Sequence, residues 1–249
     1  MTYLLDSLDY APPLLEGHPM PLSAYLHTVD LCVLFYCRAD GELKLLLNKR
    51  EAEPFAGHWA LPGVVVNGGV QDLSLKDAVE RLRASDKVGL ALAWSEQVGT
   101  VGDAFRDPRC WSSSTYYLAI VSDEVELAEH QGWFSLTAVA DGGIKLPFDH
   151  NNIVAAVKER LFSKSLYSSL PLMFLGDEFS APQATTIFSL VLERPVLKTS
   201  IRQRLLKLAE AGYLRETGRK KHGEGGRPQA TVEMLRPGDI YFFDRSFAD

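Results

Sequence analysis

The stretch GHWALPGVVVNGGVQDLSLKDAVERLRASDKVGL, Gly57 to Leu90, joins a glycine-rich loop to a short helix and a second loop. That outline suits a divalent cation held against a pyrophosphate. Mg2+ takes hard oxygens plus waters, and carboxylates at i, i+3 and i+4 share one face of a helix. The cation offsets the phosphate charge and activates a water. The carboxylates that would hold it are mostly absent here. A second chemistry-bearing stretch is RPVLKTSIRQRLLKLAEAGYL, Arg194 to Leu214. At about 100° per residue, Ile201, Leu205 and Leu208 share one face, and Gly212 stands just beyond the helix end. Lys198 opens this helix; Thr199, Gln203 and Lys207 lie roughly opposite the apolar face, with Ser200 and Arg202 at the flanks. A helix anchored on one side and polar and cationic on the other can enter a major groove, where Gln pairs with adenine and Arg with guanine. GRKKHGEGGRPQ follows, and in it Arg219, Lys220, Lys221, His222 and Arg227 surround Gly223, Gly225 and Gly226. The glycines permit a tight hairpin tip, and the cations suit phosphates or a minor groove. The alternative is a basic helix and loop that grip a protein.

The first stretch resembles the Nudix box, G-x5-E-x7-R-E-U-x-E-E-x-G-U, whose helix glutamates bind Mg2+. Counted back from Gly89, its R-E…E-E positions fall on Leu82, Arg83, Asp86 and Lys87; counted from Arg81, they fall on Arg81, Leu82, Ser85 and Asp86. Both registers stay open, and in either one Asp86 is the most that survives of the metal carboxylates. Glu80, Arg83 and Lys87 can form ordinary surface pairs on a solvated face. Alternatively, Arg83 or Lys87 supplies the charge that the metal supplied. Three further stretches, LLLNKREAEPFAGHWALPG, VGTVGDAFRDPRCWSSSTYYLAIV and LPFDHNNIV, resemble in order the segments that frame the pocket of Nudix proteins acting on ADP-ribose. That resemblance implies an effector pocket opened by Gly63, with Val64 where the family usually has a second glycine. Arg50, Arg106 and Arg109 are then candidates to place guanidinium forks on phosphates or ribose hydroxyls. Trp59, Phe105 or Phe148 would stack on adenine. The alternatives are salt bridges for the arginines and core packing for the aromatics.

These residues need elements to hold them. TVDLCVLFYC reads as a strand, RADGE as a turn and LKLLLNKR as the returning strand. Gly57 to Gly69 reads as a loop. SLKDAVERLRAS reads as a helix capped by Ser74 with Asp77 three residues on, with Leu75, Val79 and Leu82 as its apolar stripe. SEQVGTVG, SSSTYYLAIVS and EHQGWFSL read as strands, and HNNIVAAVKERLFS as a closing helix. Beyond Ser163 come helical stretches at Ser165–Leu175, Ala181–Leu192 and Thr199–Ala211, then two short strands around the basic loop. The expected fold is α+β: a degenerate Nudix α/β/α sandwich, residues 25–162, followed by a winged helix-turn-helix domain, residues 163–249, with residues 1–24 as an N-terminal arm.

The totals agree with two domains. The chain has 249 residues, 46% of them apolar, enough for real cores. Its net charge of −6 conceals a basic segment: residues 194–227 hold 10 Lys/Arg against 3 Asp/Glu, where an anionic partner is expected. The start, MTYLLDSLDYAPPLLEGHPM, lacks the basic n-region of a signal peptide, and no apolar run has the length of a membrane span. Cys32, Cys37 and Cys110 are odd in number and lack metal spacing, so a reduced, cytoplasmic setting is expected.

A degenerate Nudix domain followed by RPVLKTSIRQRLLKLAEAGYLRETG and GEGGRP resembles the NrtR family of Nudix-related transcriptional regulators of NAD metabolism. The resemblance implies a homodimeric repressor on palindromic double-stranded operators of NAD synthesis or salvage genes. It implies release when ADP-ribose or a related NAD-derived nucleotide fills the pocket. With the metal carboxylates eroded, no catalytic residue, no metal site, no cofactor and no need for Mg2+ are expected. The rival expectation is an active ADP-ribose pyrophosphohydrolase with an appended winged helix.

Overall fold

A computed structural model describes residues 25–123, 125–221 and 228–247. The expected arm at 1–24 lies outside them, as do His222 and Arg227. The β-branched and aromatic run forms β1, Tyr25–Cys37, and pairs antiparallel with β2, Glu42–Lys49. Two short strands interrupt the expected loop: β3, Trp59–Ala60, and β4, Gly63–Val65. β4 lies against β1 with Gly63 opposite Asp30. Only glycine fits there, because a Cβ on Gly63 would stand 2.0 Å from the Asp30 carboxylate oxygen Oδ1. Helix α1, Leu75–Ala84, starts on the expected capping box, with the Ser74 N–H donating to Asp77 at 2.8 Å. β5 (Trp94–Asp103), β6 (Trp111–Val121) and β7 (Gln131–Ser135) complete a seven-stranded sheet of order β3-β2-β1-β6-β5, with β4 beside β1 and β7 beside β2.

Alternation along β1 builds two cores. Val29, Leu31 and Val33 point to α1, where Ala78, Val79 and Leu82 meet them. Cys32 and Leu34 point to the other face, covered by α2 (Leu136–Ala140) and α3 (His150–Ser165) through Val139, Ile153, Val154 and Val157. The result is a helix–sheet–helix sandwich, as expected. The second core does not stop at the end of the sandwich. It runs on through Leu170, Leu172 and Phe174 into α4 (Ala181–Val191) and α5 (Lys198–Glu210).

The C-terminal part differs from expectation in one helix and one strand. Ser165–Leu175 is not a helix of its own. α3 ends at Ser165, three residues past the expected boundary, and Leu170–Leu175 forms a 3-10 turn. Ser168 explains the break: its hydroxyl donates to the Lys164 carbonyl at 2.7 Å and accepts from the Leu170 N–H, so side chain competes with backbone. Pro171 then disfavours α-helix at the residue before it. A third strand, β8 (Glu178–Ser180), joins β9 (Leu214–Lys221) and β10 (Gln229–Met234) in the order β8-β10-β9. Helices α4 and α5 against this ribbon form the winged helix. Gly212, at φ 72°, ends α5 in the left-handed conformation, as its position suggested. Among the described residues no helix is long and apolar enough to cross a membrane.

Candidate functional site

The start of β1, the end of β2, β4, the turn after α1, the loop before β6 and the start of α3 enclose a cavity of about 320 Å3. Arg50, Gly63, Lys87, Arg106, Arg109 and Phe148 all line it, so six of nine expected effector residues come together. Trp59 does not: its indole packs on Phe134, ring centres 4.9 Å apart, as part of the core. Arg83 also misses the cavity and pairs with Glu80 at 3.0 Å, because its position on α1 faces outward. Phe105 is 94% exposed and stacks on no ring among the described residues, since the tight turn set by Asp103, which accepts from the N–H groups of residues 105 and 106, leaves its ring outside.

Besides the exposed Lys49, four Lys and Arg side chains line the cavity, and they divide in two. Arg106 is buried and fully committed: its Nε and Nη2 hold both oxygens of Asp149, the nearest at 2.8 Å, and its Nη1 donates to Ser112. Arg109 forks onto Asp107 at 2.7 and 3.0 Å, which holds the Asp107 carboxyl below the usual carboxylate range. Arg50 and Lys87 form no ion pair among the described residues. Arg50 donates to the carbonyls of Pro54 and Ala52 and lies over the Phe148 ring at 5.0 Å. Lys87 donates to the Gly63 carbonyl at 2.7 Å. Burial lowers the pKa of both; Arg109 adds to this at Arg50, and Arg50 adds to it at Lys87. Two cations held by neutral carbonyls and partly stripped of water gain from an anion between them. Phe148 sits at φ 58°, a strained conformation for a ring-bearing residue that the surrounding contacts hold.

Three residues that sequence reading did not single out complete the cavity. Asp30 is buried in β1 and accepts from Thr28 at 3.1 Å and from the Ser114 hydroxyl. Its trace in the sequence is an acid inside an otherwise apolar strand. Asn48 donates to the Lys87 carbonyl at 2.8 Å and so fixes the turn that presents the lysine. His150, the first residue of α3, is buried and accepts the Leu61 N–H on Nδ1 at 3.1 Å; burial lowers its pKa. It lay in plain view in LPFDHNNIV, but nothing in its neighbours marked it as buried.

A Nudix fold raises the question of a divalent cation. Helix α1 ends at Ala84, so Asp86 sits in the turn beyond it in either register, and its backbone carbonyl is taken up by Gln131 at 3.0 Å. Among the described residues no three His, Cys, Asp or Glu side chains gather as a metal-holding group. Instead an ammonium, Lys87, points at the Gly63 carbonyl. This donor set does not fit the cation.

At the other end of the chain, α5 buries Ile201, Arg204 and Leu208 and leaves Leu205 half-buried. Lys198, Thr199, Arg202 and Gln203 are exposed, and Ser200 and Lys207 half-exposed. The expected polar face thus presents all six side chains outward, Lys207 near Asp244 at 3.8 Å. In the wing, Arg219 pairs with Glu178 at 2.9 Å across the ribbon, and Lys220 is exposed opposite Ala230. Lys221 is the last residue of β9.

No protein-family model matches the chain. Its fold matches Shewanella oneidensis NrtR complexed with a 27mer DNA at a TM-score of 0.76 and 33% identity, covering 88% of this chain and 98% of that one. A MutT/nudix family protein from Enterococcus faecalis matches at a TM-score of 0.63 and 27% identity, covering 86% of this chain and 89% of that one. Fold and site therefore define a Nudix-fold protein with a cation-lined cavity and a C-terminal winged helix. The chain is also 30% identical over 233 residues to the ADPR responsive transcriptional repressor NtrR of Acinetobacter baylyi, covering 92% of this chain and 84% of that protein. It belongs to the NrtR family of Nudix-related regulators.

Proposed function

We propose that this chain is a DNA-binding transcriptional repressor of NAD synthesis or salvage genes. Its Nudix-fold domain senses ADP-ribose or a related NAD-derived nucleotide, and the nucleotide releases the DNA. One observation carries the reading: Arg50 and Lys87, two cations without carboxylate partners among the described residues, line one cavity on a chain that ends in a polar-faced, cationic winged helix. The names of the relatives support it, one as an ADPR responsive repressor and one as a protein crystallised with a 27mer DNA. The diphosphate of the effector lies between Arg50 and Lys87, with Arg109 at the mouth and Phe148 beside the base or ribose. Lys87 takes the electrostatic part of the missing cation, so binding needs no Mg2+ and the ligand survives it. A sensor that hydrolysed its signal would erase it.

In this reading two copies present α5 to half-sites of a palindrome about one helical turn, or a multiple, apart. Lys198, Thr199, Ser200, Arg202, Gln203 and Lys207 face the groove, and Arg219 and Lys220 of the wing meet phosphates. The effector acts only through a preference for one arrangement of the two ends over another. A gel shift on the DNA upstream of this gene, titrated with ADP-ribose and repeated at rising salt, tests the proposal. The expected result is release by ADP-ribose in EDTA, no AMP formed with Mg2+, and affinity that falls steeply with salt, since each neutralised phosphate releases counterions. Turnover of ADP-ribose at ordinary enzyme rates, or DNA affinity indifferent to salt, defeats it.

A further inference from the structure

Position 204 lies in the buried stripe of α5, where Ile201 and Leu208 are its neighbours, yet the residue is an arginine. It is 7% exposed, and no carboxylate among the described residues pairs with it. Its Nη2 donates to the Leu166 carbonyl at 2.7 Å and to the Arg245 carbonyl at 3.1 Å. Its guanidinium lies over Phe247 at 3.5 Å and Phe243 at 4.3 Å. Its Nη1 has no partner among the described residues. Burial brings its pKa down to about 10. A leucine would fill such a stripe without that desolvation cost; what the guanidinium adds is the contacts it joins.

Leu166 is the C-cap of α3. The same carbonyl accepts the Phe247 N–H at 2.8 Å, and the Phe243 N–H donates to Tyr167 at 2.7 Å. The tail from Tyr241 to Phe247 is thus laced along residues 166–169, and Arg204 closes the lacing from α5. The opposite end of α3 belongs to the cavity. His150 lines it, and Asp149, the N-cap, holds Arg106. The 16 residues of α3 span roughly 24 Å at the helical rise per residue. One rigid rod therefore has its first turn in the ligand pocket and its last carbonyl on the DNA-reading helix.

We propose that Arg204 is the joint through which occupancy of the cavity reaches the DNA-reading helix, pinning α5 to the C-cap of α3 and to the C-terminal tail. This rests on the nucleotide-sensing reading above. An effector between Arg50 and Lys87 bears on the first turn of α3, and the displacement at its far end is carried into α5 by the Leu166–Arg204–Arg245 contact. Arg204 touches neither nucleotide nor DNA; it is a positioning residue, and its signature is the coupling between the two ligands.

The full chain is compared as wild type, Arg204→Leu and Arg204→Lys, using ADP-ribose and a labelled duplex of the upstream DNA. Wild-type DNA affinity is expected to fall by roughly 5- to 150-fold with saturating ADP-ribose, the usual span of allosteric coupling. In Arg204→Leu the separate affinities for ADP-ribose and for DNA persist, while that ratio collapses toward one; Arg204→Lys, able to reach a single carbonyl, restores part of it. A folded Arg204→Leu with the wild-type ratio overturns the proposal. Should Arg204→Leu fail to fold, hydrogen exchange on the wild type decides. Protection of the Phe243 and Phe247 amides must change when ADP-ribose is added, and no change there while DNA is released overturns the proposal equally. A wild type with no ADP-ribose effect on DNA removes the sensing reading itself, and this inference with it.

Discussion

A lysine ammonium meets an electrostatic need differently from a divalent cation, because it can lose its proton. Lys87 stands in the cavity on a neutral carbonyl, and burial followed by the nearby Arg50 holds its pKa below the ordinary lysine value of 10.5. A diphosphate beside it favours the charged form, so ligand affinity is present while Lys87 is protonated and declines as pH rises through its depressed pKa. Calorimetric titration of ADP-ribose at stepped alkaline pH is expected to show affinity falling before an ordinary lysine would titrate. In Lys87→Arg the fall disappears, because guanidinium stays charged throughout. Lys87→Ala loses a charge-assisted contact of about 1.5–3 kcal/mol, a weakening of about 10- to 150-fold at neutral pH. Arg106 behaves otherwise despite its place in the same wall. Its fork is closed on Asp149, so Arg106→Ala leaves a half-buried carboxylate alone. The expected result is destabilisation of about 3–5 kcal/mol in urea melts, rather than a clean loss of ligand. A variant that melts like the wild type yet no longer binds ADP-ribose would reverse this assignment.

Elements were legible where a local pattern fixed them. The capping box at Ser74–Asp77, the alternation in VDLCVLF and the glycine after α5 each state their structure within a few residues, and each formed as read. What the sequence hid depends on contacts far along the chain. Trp59 and Phe148 are both aromatics near a glycine loop, but only the fold puts one on Phe134 and the other beneath Arg50. Arg83 and Lys87 lie four residues apart, but α1 ends between them at Ala84, and the turn that follows swings Lys87 inward. The segment Leu170–Leu175 misled for a related reason. Six apolar residues at that spacing suggest a helix, but all six are buried at once, so no amphipathic period selects one. Its burial makes it a keystone. Phe174 is 1% exposed and sits where the sandwich core continues into α4. Phe174→Ala is expected to cost about 3–5 kcal/mol, read as a lowered urea midpoint. A loss below about 1 kcal/mol, the scale of a typical surface change, would mean that the segment contributes little to the joint.

The whole molecule carries two functions on what is energetically one body. An expected boundary at residues 162 and 163 falls within α3, and the apolar core passes it without a break, from Leu34 and Val157 through Phe174 to Phe188 and Ile201. Removing either end would expose apolar surface on the other at about 25 cal/mol per Å2. The two ends should therefore unfold together. The chain offers a direct check, because its four tryptophans, Trp59, Trp94, Trp111 and Trp133, all lie in the Nudix part, whereas α4, α5 and the wing contain none. Tryptophan fluorescence then reports one end and far-ultraviolet circular dichroism reports both. Coincident urea transitions are expected, and two separated midpoints would refute the single body. ADP-ribose sharpens the measurement. At 100 times its Kd a ligand adds about 2.7 kcal/mol to whatever unfolds with its site. The dichroism transition, including the part from α4 and α5, should therefore move by as much as the fluorescence transition. If only the fluorescence moved, the nucleotide would be stabilising a Nudix domain that folds apart from its winged helix, and α3 would be a tether between two bodies.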